Sequence, residues 1–469
     1  MKKLNKIERN HILRLFYDFI NTAKNFIPLT IILMGLLLTK VKLIKSIFIL
    51  SILIIFILLC ELLAWKKNFF IVKTNSIYHE EGVFSIKKIE IPLDRINTID
   101  ISQKLLERIF KAATIKIDTG DSSTRGSELK FTLSKNRAES LRNILLKNQE
   151  CDSQKTHHNQ YTIDTKHLFI YSLISNSLFK GLGMLFVAQQ FFQDYLKSFI
   201  NLNTSKYINE LEKNNIYSSI MIIIFLLFIL IFVSIFLSII YNIVKYYNFK
   251  LWTDYKNIYV NYGITNRKNY SFDKTKIKGI HIKQSILMQH FKFFTLEIEN
   301  IGYGDEKGEK AILYPICSDY LKKDILKNIL GEFKYTGEVT RPENHTYFRF
   351  LCKKFILWAI IAVICFFIKA VFVLPSLILL LFLFVMGHLE FKNTAFGMNE
   401  NILYMCHGSF NKTQSLVKIK ALQSLTLSHS YFQHNKGICN YSVVLQSSTL
   451  GKTLRVKNLK NNIAKEPFN

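Results

Sequence analysis

The sequence lacks the cysteine patterns that hold a metal ion or a disulfide framework. Its seven cysteines show no C-x-x-C spacing, and no histidine stands near them at a metal-ligand interval. Three lie within or beside apolar segments and the rest are scattered through polar ones, which is typical of isolated thiols in a reducing compartment. We therefore predict no metal site and no cofactor. The cysteines are Cys60, Cys151, Cys317, Cys352, Cys365, Cys406 and Cys439.

Catalytic patterns are also missing. We find no paired carboxylates, no nucleophile beside a base and no phosphate-binding loop in a strand-to-helix context. The glycine-rich stretch Gly302–Gly308 lies between two expected strands and therefore predicts a hairpin loop. His157 and His158 stand in a polar segment without further metal ligands. The protein is accordingly predicted not to be an enzyme and to have no catalytic residues.

Acidic residues are few, since 34 Asp and Glu face 62 Lys and Arg, which gives a formal net charge of +28. This excess favours a polyanionic partner, either nucleic acid or the anionic headgroups of a membrane leaflet. Hydrophobic residues make up 49% of the chain although 20% of it is charged, so apolar blocks alternate with polar blocks. The alternation favours a membrane and no nucleic acid.

The apolar blocks that are long enough to cross a bilayer occur in pairs. No small-residue cleavage site follows the first block, so we expect it to be retained as a span. In the second pair, a span that starts at Gly181 keeps Lys180 at the interface and leaves Leu168–Leu178 as an amphipathic surface segment. The expected spans are Ile20–Thr39, Ile44–Ala64, Gly181–Ile200, Ile220–Val244, Phe355–Ile368 and Val371–Leu389.

The polar segments that follow the three pairs align without gaps in their central part. Each contains a tyrosine four residues before a turn glycine, and twenty-one further residues lead to Gln103, Gln284 and His429. Eleven more residues lead to an alternating strand in every copy. The chain is therefore predicted to contain three copies of one unit, a pair of spans and a small β-rich domain. The turns are Tyr78–Gly82, Tyr259–Gly263 and Tyr404–Gly408.

Each domain is expected to place its strands before one helix. Alternating isoleucines such as Ile96, Ile99 and Ile101 predict half-buried strands. Ser134 and Ser318 can each cap an amphipathic helix, whereas the third copy ends about two turns after its last strand. The apolar faces of the two helices are Ala138, Leu141, Ile144 and Leu145, and Leu321, Ile325, Ile329 and Leu330.

These features divide the chain into membrane segments that alternate with β-rich domains, the third of which is divergent. The segments are 1–65, the N-terminal segment and first transmembrane pair; 66–150, domain one; 151–166, a linker; 167–248, the surface segment and second pair; 249–333, domain two; 334–390, a linker and third pair; and 391–469, domain three.

The basic residues at the span ends predict the orientation, because cytoplasmic flanks carry the excess of Lys and Arg. More of them lie on the domain side, such as Lys66 and Lys67, than on the opposite side, such as Lys206. We therefore expect a multi-pass protein with both termini and all three domains in the cytoplasm. An alternative for the first pair is a hairpin that dips into the membrane without crossing it, because its turn contains a lysine cluster. The cluster is Lys40, Lys42 and Lys45.

The order of these motifs resembles the bacterial PH-like membrane domain family of the YdbS/YdbT type. The resemblance rests on two spans, a Tyr-x-x-x-Gly turn, the strand Arg95–Ile99 and the motif Gln-x-x-Leu-x-x-x-Phe at Gln103–Phe110. The presence of three copies resembles the YdbT-like members of the family, whereas the YdbS-like members carry a single copy. The third copy departs from the motif, because His429 replaces the glutamine.

The resemblance implies a polytopic α-helical membrane protein with three small PH-like β-barrel domains, each capped by a C-terminal helix. It also implies a location in a bacterial cell membrane and a role without catalysis, as a scaffold or partner-binding component. Relatives are associated with resistance to antimicrobial peptides or bacteriocins. A YdbS-like membrane protein is the implied partner.

Two groups of polar residues are candidates for binding. Gln103 and Gln284 could serve a ligand or partner, but closing a strand before a short helical turn explains the same spacing, and we favour this structural role. Basic residues of copies one and two could face anionic lipid headgroups or form an ordinary solvated surface, and the sequence favours neither. They are Lys87, Lys88, Arg267, Lys268, Lys274, Lys276 and Lys278.

A membrane transporter or permease subunit is the alternative function, since paired spans and internal repeats also suit that class. Transporters usually place ionisable residues or broken helices near the middle of the membrane. The expected spans offer few such features, because Glu61 lies near a span end and Lys180 at the interface. Transport is therefore ranked below a scaffold.

Overall fold

The fold of the chain is given by a computed structural model. It describes residues 6–40, 43–83, 85–96, 98–119, 129–147, 158–175, 216–254, 256–300, 311–368, 373–445 and 452–461. The expected span Gly181–Ile200, the stretch Gly302–Gly308, His157 and the end of the third copy lie outside these residues.

The described part of the chain contains five long and six short helices. The long ones are α1 (Ile12–Lys40), α2 (Leu43–Lys67), α6 (Ile216–Tyr246), α9 (Tyr347–Ile368) and α10 (Val373–Asn393). The short ones are α3 (Leu105–Ile109), α4 (Lys135–Lys147), α5 (Thr165–Ile174), α7 (Ile286–Phe291), α8 (Asp319–Ile329) and α11 (Tyr431–His434).

The strands fall into three sets, one for each unit. Unit one has β1 (Ile7–Arg9), β2 (Phe69–Val72), β3 (Ser76–Glu81), β4 (Lys87–Pro92), β5 (Thr98–Gln103), β6 (Ala112–Asp118) and β7 (Leu129–Ser134). Unit two has β8 (His158–Thr162), β9 (Lys250–Thr253), β10 (Asn257–Tyr262), β11 (Arg267–Asp273), β12 (Ile277–Gln284), β13 (Phe294–Asn300) and β14 (Ala311–Cys317). Unit three has β15 (Ala395–Met398), β16 (Ile402–His407), β17 (Lys412–Lys418), β18 (Leu422–Ser428), β19 (Ile438–Leu445) and β20 (Lys452–Lys460).

Each unit begins before its long helices. Strand β1 precedes α1 and α2 but pairs with β2, which follows them. Strand β8, within the segment predicted to be a linker, pairs with β9 after α6, and a single bridge joins Thr340 to Phe396 in unit three. The long helices are therefore inserted between two paired strands of a sheet, which ties both ends of the insertion to the domain.

The predicted closed β-barrels are not present in the described residues. The strands form open sheets in the orders β1-β2-β3-β4, β7-β6-β5-β11-β10-β9-β8, β14-β13-β12-β17-β16-β15 and β18-β19-β20. Closure of unit one would require β5 to pair with β4, but β5 pairs with β11 of unit two. In the same way β12 of unit two pairs with β17 of unit three. The units therefore share sheets, because in units one and two the strand that could close the barrel pairs with the next unit.

We call the pairing of β5 with β11 the first joint and the pairing of β12 with β17 the second joint. The two joints have the same register. Ser102 lies opposite Lys268 in the first joint, and Lys283 lies opposite Thr413 in the second. In each case the first residue is twenty positions after the turn glycine of its unit and the second is five positions after the turn glycine of the next. The joint is therefore a repeated structural feature of the unit.

Side-chain contacts reinforce both joints. At the first, Lys276 Nζ donates to Ile96 O at 2.7 Å, and the Arg142 guanidinium lies over the Tyr259 ring, 5.3 Å from its centre. At the second, His281 Nδ1 and Ser415 Oγ are 2.8 Å apart and buried. Side-chain hydrogen bonds and a cation–π contact thus stabilise the joints in addition to the backbone hydrogen bonds between the paired strands.

The predicted closing helices are confirmed in units one and two. Helix α4 buries Ala138, Leu141 and Leu145 completely. Helix α8 buries Ile325, and the Ser318 side chain accepts a hydrogen bond from Leu321 N at 3.3 Å. Each helix covers the apolar face of its unit's second sheet, as the sequence pattern predicts. No helix follows β20 within the described residues of unit three.

Three stretches of the described chain are long and apolar enough to cross a membrane, namely Phe228–Tyr246, Asn344–Phe367 and Ser376–Asn393. These support three of the six predicted spans, and the other three stay predictions. Helices α1 and α2 pack together, and Thr22 Oγ1 donates to Glu61 Oε1 at 2.6 Å. The segment Leu168–Leu178 belongs partly to α5, which buries Leu168 in the core of unit two and leaves Phe169 and Leu173 exposed. Its expected position on the membrane surface stays a prediction.

The turn glycine of unit two allows a direct test of the hairpin geometry. Gly263 has φ +104°, and a Cβ there would lie 2.4 Å from Asn266 O. We expect Gly263→Ala to reduce the free energy of unfolding by about 1–3 kcal/mol, because an L-residue is strained in this conformation and no room exists for its side chain. The measurement is thermal unfolding of the purified full chain.

The matched control is Gly331→Ala, because no heavy atom lies within 4 Å of a Cβ at Gly331. Equal unfolding midpoints for the two variants would contradict the hairpin geometry.

Candidate membrane-lipid site

The two glutamines singled out in the sequence have structural roles. Gln103 Nε2 donates to Ala112 O at 2.7 Å, and Gln284 Nε2 donates to Phe293 O at 3.0 Å. Both side chains are buried. Each glutamine therefore closes the turn around the short helix that follows its strand, which leaves it no surface for a partner.

The basic residues singled out in the sequence do not form one patch. Lys87 and Lys88 lie 3.8 Å from Glu81 and Glu80, and Lys274 Nζ donates to Asp254 O at 2.7 Å. Lys276 supports the first joint, and burial lowers the pKa of both Lys274 and Lys276. Lys87 and Arg267 each line a separate cavity, and Lys268 lines a large cavity with other basic residues.

That cavity has a volume of about 420 Å³ and lies between α1 and the outer face of the seven-stranded sheet. Its walls come from α1, β5, α3, β6, β7 and the β10–β11 hairpin, so it includes residues of two units. Six lining side chains are basic and three are acidic. These are Arg14, Lys24, Lys104, Lys116, Lys130 and Lys268, and Asp18, Asp100 and Glu107.

All three carboxylates, Asp100 included, already have partners within the protein. Glu107 is 1% exposed and accepts hydrogen bonds from Thr114 Oγ1 at 2.7 Å and from Lys104 N at 2.9 Å. Asp18 Oδ2 accepts from Arg14 Nε at 2.8 Å. The excess of basic side chains therefore gives the cavity a positive potential, which favours an anionic ligand.

Tyr17 adds a hydrogen-bond donor to the same cavity. Burial, and then the nearby Glu107 carboxylate, raise the pKa of its phenol, so it remains neutral. The Lys104 ammonium lies 5.2 Å from the centre of its ring. Within the described residues the buried Tyr17 hydroxyl has no hydrogen-bond partner. A buried hydroxyl of this kind normally has a partner, so the Tyr17 hydroxyl lacks a hydrogen bond that a ligand oxygen would supply.

The start of α1 is held over the cavity by a buried asparagine. Asn10 Oδ1 accepts from Thr132 N at 2.9 Å, and Asn10 Nδ2 donates to Asn68 Oδ1 at 3.0 Å. Its carbonyl accepts from Trp65 Nε1 at 3.0 Å. Asn10 thus links strand β7 to both ends of the first helix pair and fixes the distance between α1 and the sheet.

Exposed apolar side chains on three short helices lie next to the membrane segments. Arg108 of α3 donates to Ile264 O at 2.7 Å, and Ile264 N donates to Val244 O near the end of α6. Asn393 of α10 donates to Gln289 Oε1 of α7 at 3.3 Å, and Arg349 of α9 donates to Phe432 O of α11 at 2.5 Å. We call α3 with the following Phe110, α7 and α11 the apolar row. Its exposed members are Leu105, Leu106, Ile109 and Phe110, Ile286, Leu287 and Phe291, and Tyr431 and Phe432.

Part of the apolar row could be recognised in the sequence. Leu106 and Phe110 belong to the motif that begins at Gln103, and Leu287 and Phe291 occupy the same positions in unit two. The motif indicated a resemblance, but exposure of its apolar residues depends on the packing of the short helix. The cavity could not be found from sequence, because its lining residues are distributed from Arg14 to Lys268.

Comparisons with known proteins agree with the three-unit fold. The model of the Bacterial PH domain family matches residues 26–149, 207–322 and 353–462. The UPF0699 transmembrane protein YdbT of Bacillus subtilis (strain 168) is 25% identical over 420 residues, which cover 85% of this chain and 83% of that protein. No solved structure matches the chain. The resemblance found from the motifs is thereby confirmed.

Removal of the Asn10 side chain tests how the cavity is built. We expect Asn10→Ala to destabilise unit one by about 1–3 kcal/mol, because the buried Thr132 N loses its partner and Asn68 Oδ1 keeps only the hydrogen bond to His79 Nε2. Limited proteolysis of the purified full chain during a thermal ramp measures the loss in unit one.

The control is Asn21→Ala, which changes an exposed asparagine of α1 that lines the same cavity. We expect it to stay within about 0.5 kcal/mol of the unmodified protein. If both variants unfold at the same temperature, Asn10 does not anchor α1.

Proposed function

Because the chain belongs to the bacterial PH domain family, we propose that it is a non-enzymatic membrane scaffold that binds anionic lipid headgroups beside its helices. The basic cavity between α1 and the shared sheet is the observation that carries this proposal. A headgroup phosphate would face the six basic side chains, and one of its oxygens would accept a hydrogen bond from Tyr17.

The apolar row supports the same function. Side chains such as Ile109, which is 71% exposed, and Phe432, which is 72% exposed, are costly in water but stable at the boundary between headgroups and acyl chains. Lys104 lines the cavity and immediately precedes the α3 member of the row. Apolar insertion and headgroup binding would therefore occur at adjacent sites.

The scaffold role rests on the shared sheets. Units that are joined by ladders hold a fixed spacing along the membrane and can present several surfaces to partner proteins. On the family resemblance, we propose a YdbS-like membrane protein as one partner and resistance to antimicrobial peptides or bacteriocins as the cellular role. A deletion strain with unchanged susceptibility to several membrane-active peptides would remove the support for that role.

Binding of a soluble phospholipid tests the cavity directly. We expect the purified full chain to bind dioctanoyl phosphatidylglycerol more tightly than dioctanoyl phosphatidylcholine. Reversal of the two exposed cavity lysines, Lys24→Glu and Lys104→Glu together, should weaken binding by about 2 kcal/mol, roughly thirtyfold in Kd, because each lysine near an anionic lipid contributes about 1 kcal/mol.

The control is Lys327→Glu, which changes an exposed lysine on α8 outside the cavity. Inorganic phosphate is added as a competitor to separate a site for the phosphate group from one that needs the lipid. Equal affinity for the two phospholipids, or equal effects of the cavity and control variants, would contradict the proposal.

The proposed cytoplasmic orientation has its own test. In a cysteine-free background, a cysteine at Tyr320, which is 83% exposed on α8, should react with an impermeant maleimide only after cells are permeabilised. A cysteine at Asn203, a position outside the described residues, should react in intact cells. Reaction of the Tyr320 site in intact cells would show the opposite orientation.

A further inference from the structure

Two strands have the position in their unit that forms a joint elsewhere, but no strand pairs with their outer edge. Each joint pairs the first strand of one unit's second sheet with the last strand of the next unit's first sheet. Strand β18 of unit three corresponds to β5 and β12, and β4 of unit one corresponds to β11 and β17. Among the described residues no strand pairs with the outer edge of β4 or β18.

The exposure of β18 differs from that of its counterparts. All six residues of β5 are buried, and six of the eight residues of β12 are buried, whereas none of β18 is. Leu427 is 41% exposed, but the equivalent Ile101 is 8% exposed and Ile282 is 4% exposed. The difference matches the loss of one neighbouring strand.

Strand β4 shows the corresponding exposure at the other end of the chain. The residues Lys87–Ile91 align with Lys268–Phe272 by their distance from the turn glycine. Glu90 is exposed, whereas the equivalent Ser271 is 3% exposed because it lies in the first joint. One chain thus carries both halves of a joint, one at each end.

The chemistry of the two edges favours their pairing. Strand β18 contains neither a charged residue nor a proline, the features that usually protect an edge strand from association. Strand β4 carries Lys87, Lys88 and Glu90, but such charges do not prevent pairing in this fold, because β11 carries Arg267 and Lys268 within the first joint. On β18 the charges of β4 would meet no like charge. In the register of the joints, Pro92 falls beyond the ladder and its missing N–H has no effect.

We propose that β18 of one copy pairs antiparallel with β4 of a second copy, in the register of the two internal joints. Because the two surfaces of this contact differ, it joins copies head to tail. A joint of this geometry orients the second copy relative to the first as unit two is oriented relative to unit one. The opposed pairs are Ser428 with Lys87, Leu427 with Lys88, Thr426 with Ile89, Leu425 with Glu90 and Ser424 with Ile91.

A charge exchange at one opposed pair tests both the contact and its register. Two full-length copies with different tags are expressed together and extracted in native-membrane nanodiscs, and co-capture of the second tag is quantified. Leu427→Lys places an ammonium opposite Lys88 of the other copy and should reduce co-capture about threefold to fivefold. Leu427→Glu is the matched control at the same position and should retain it.

The addition of Lys88→Glu to the Leu427→Lys chain should restore co-capture, because the opposed charges then attract. Leu427 is already exposed, and unchanged unfolding midpoints verify that each variant folds. Absence of co-capture between unmodified copies, equal effects of the Lys and Glu variants, or failure of the second change to restore association would each overturn the proposal. Capture of a different PH-like membrane protein without a second copy would overturn it as well.

Discussion

The structure depends on the backbone ladder that joins each unit to the next. Strand β5 pairs with β11, and β12 pairs with β17, in one register. A ladder satisfies the N–H and C=O groups of both strands, and an edge strand buried without a partner would leave them unsatisfied. Because units one and two leave their barrels open, β5 and β12 obtain this satisfaction from the next unit. The three units therefore form a continuous array of shared sheets.

The same constraint creates the proposed lipid site. The first joint places the β10–β11 hairpin of unit two beside the sheet of unit one, which brings Asn266 and Lys268 to a cavity that is otherwise lined by unit one. Asn10 holds α1 above that cavity through the hydrogen bond to Thr132 N. The potential of the cavity thus depends on contacts between units as well as on the net charge of the chain.

Much of the unit was predictable from sequence, because its signals are local. The turn glycines, the alternating isoleucines and the Ser318 cap each depend on a few neighbouring residues, and the structure places them as expected. The open barrels were not predictable, because the partner of β5 is about 170 residues away and competes with the nearer β4. Strand β8 was predicted to be a linker, since α5 and α6 lie between it and its partner β9 along the chain.

The shared sheet is tested most directly by disulfide formation across the first joint. In a cysteine-free background, cysteines at Ser102 and Lys268, which lie directly opposite each other, should form a disulfide under mild oxidation of native membranes. Cysteines at Ser102 and Glu90 should not, because β5 and β4 do not pair. Efficient linkage of Ser102 to Glu90, with none to Lys268, would show a closed barrel in unit one and contradict the account.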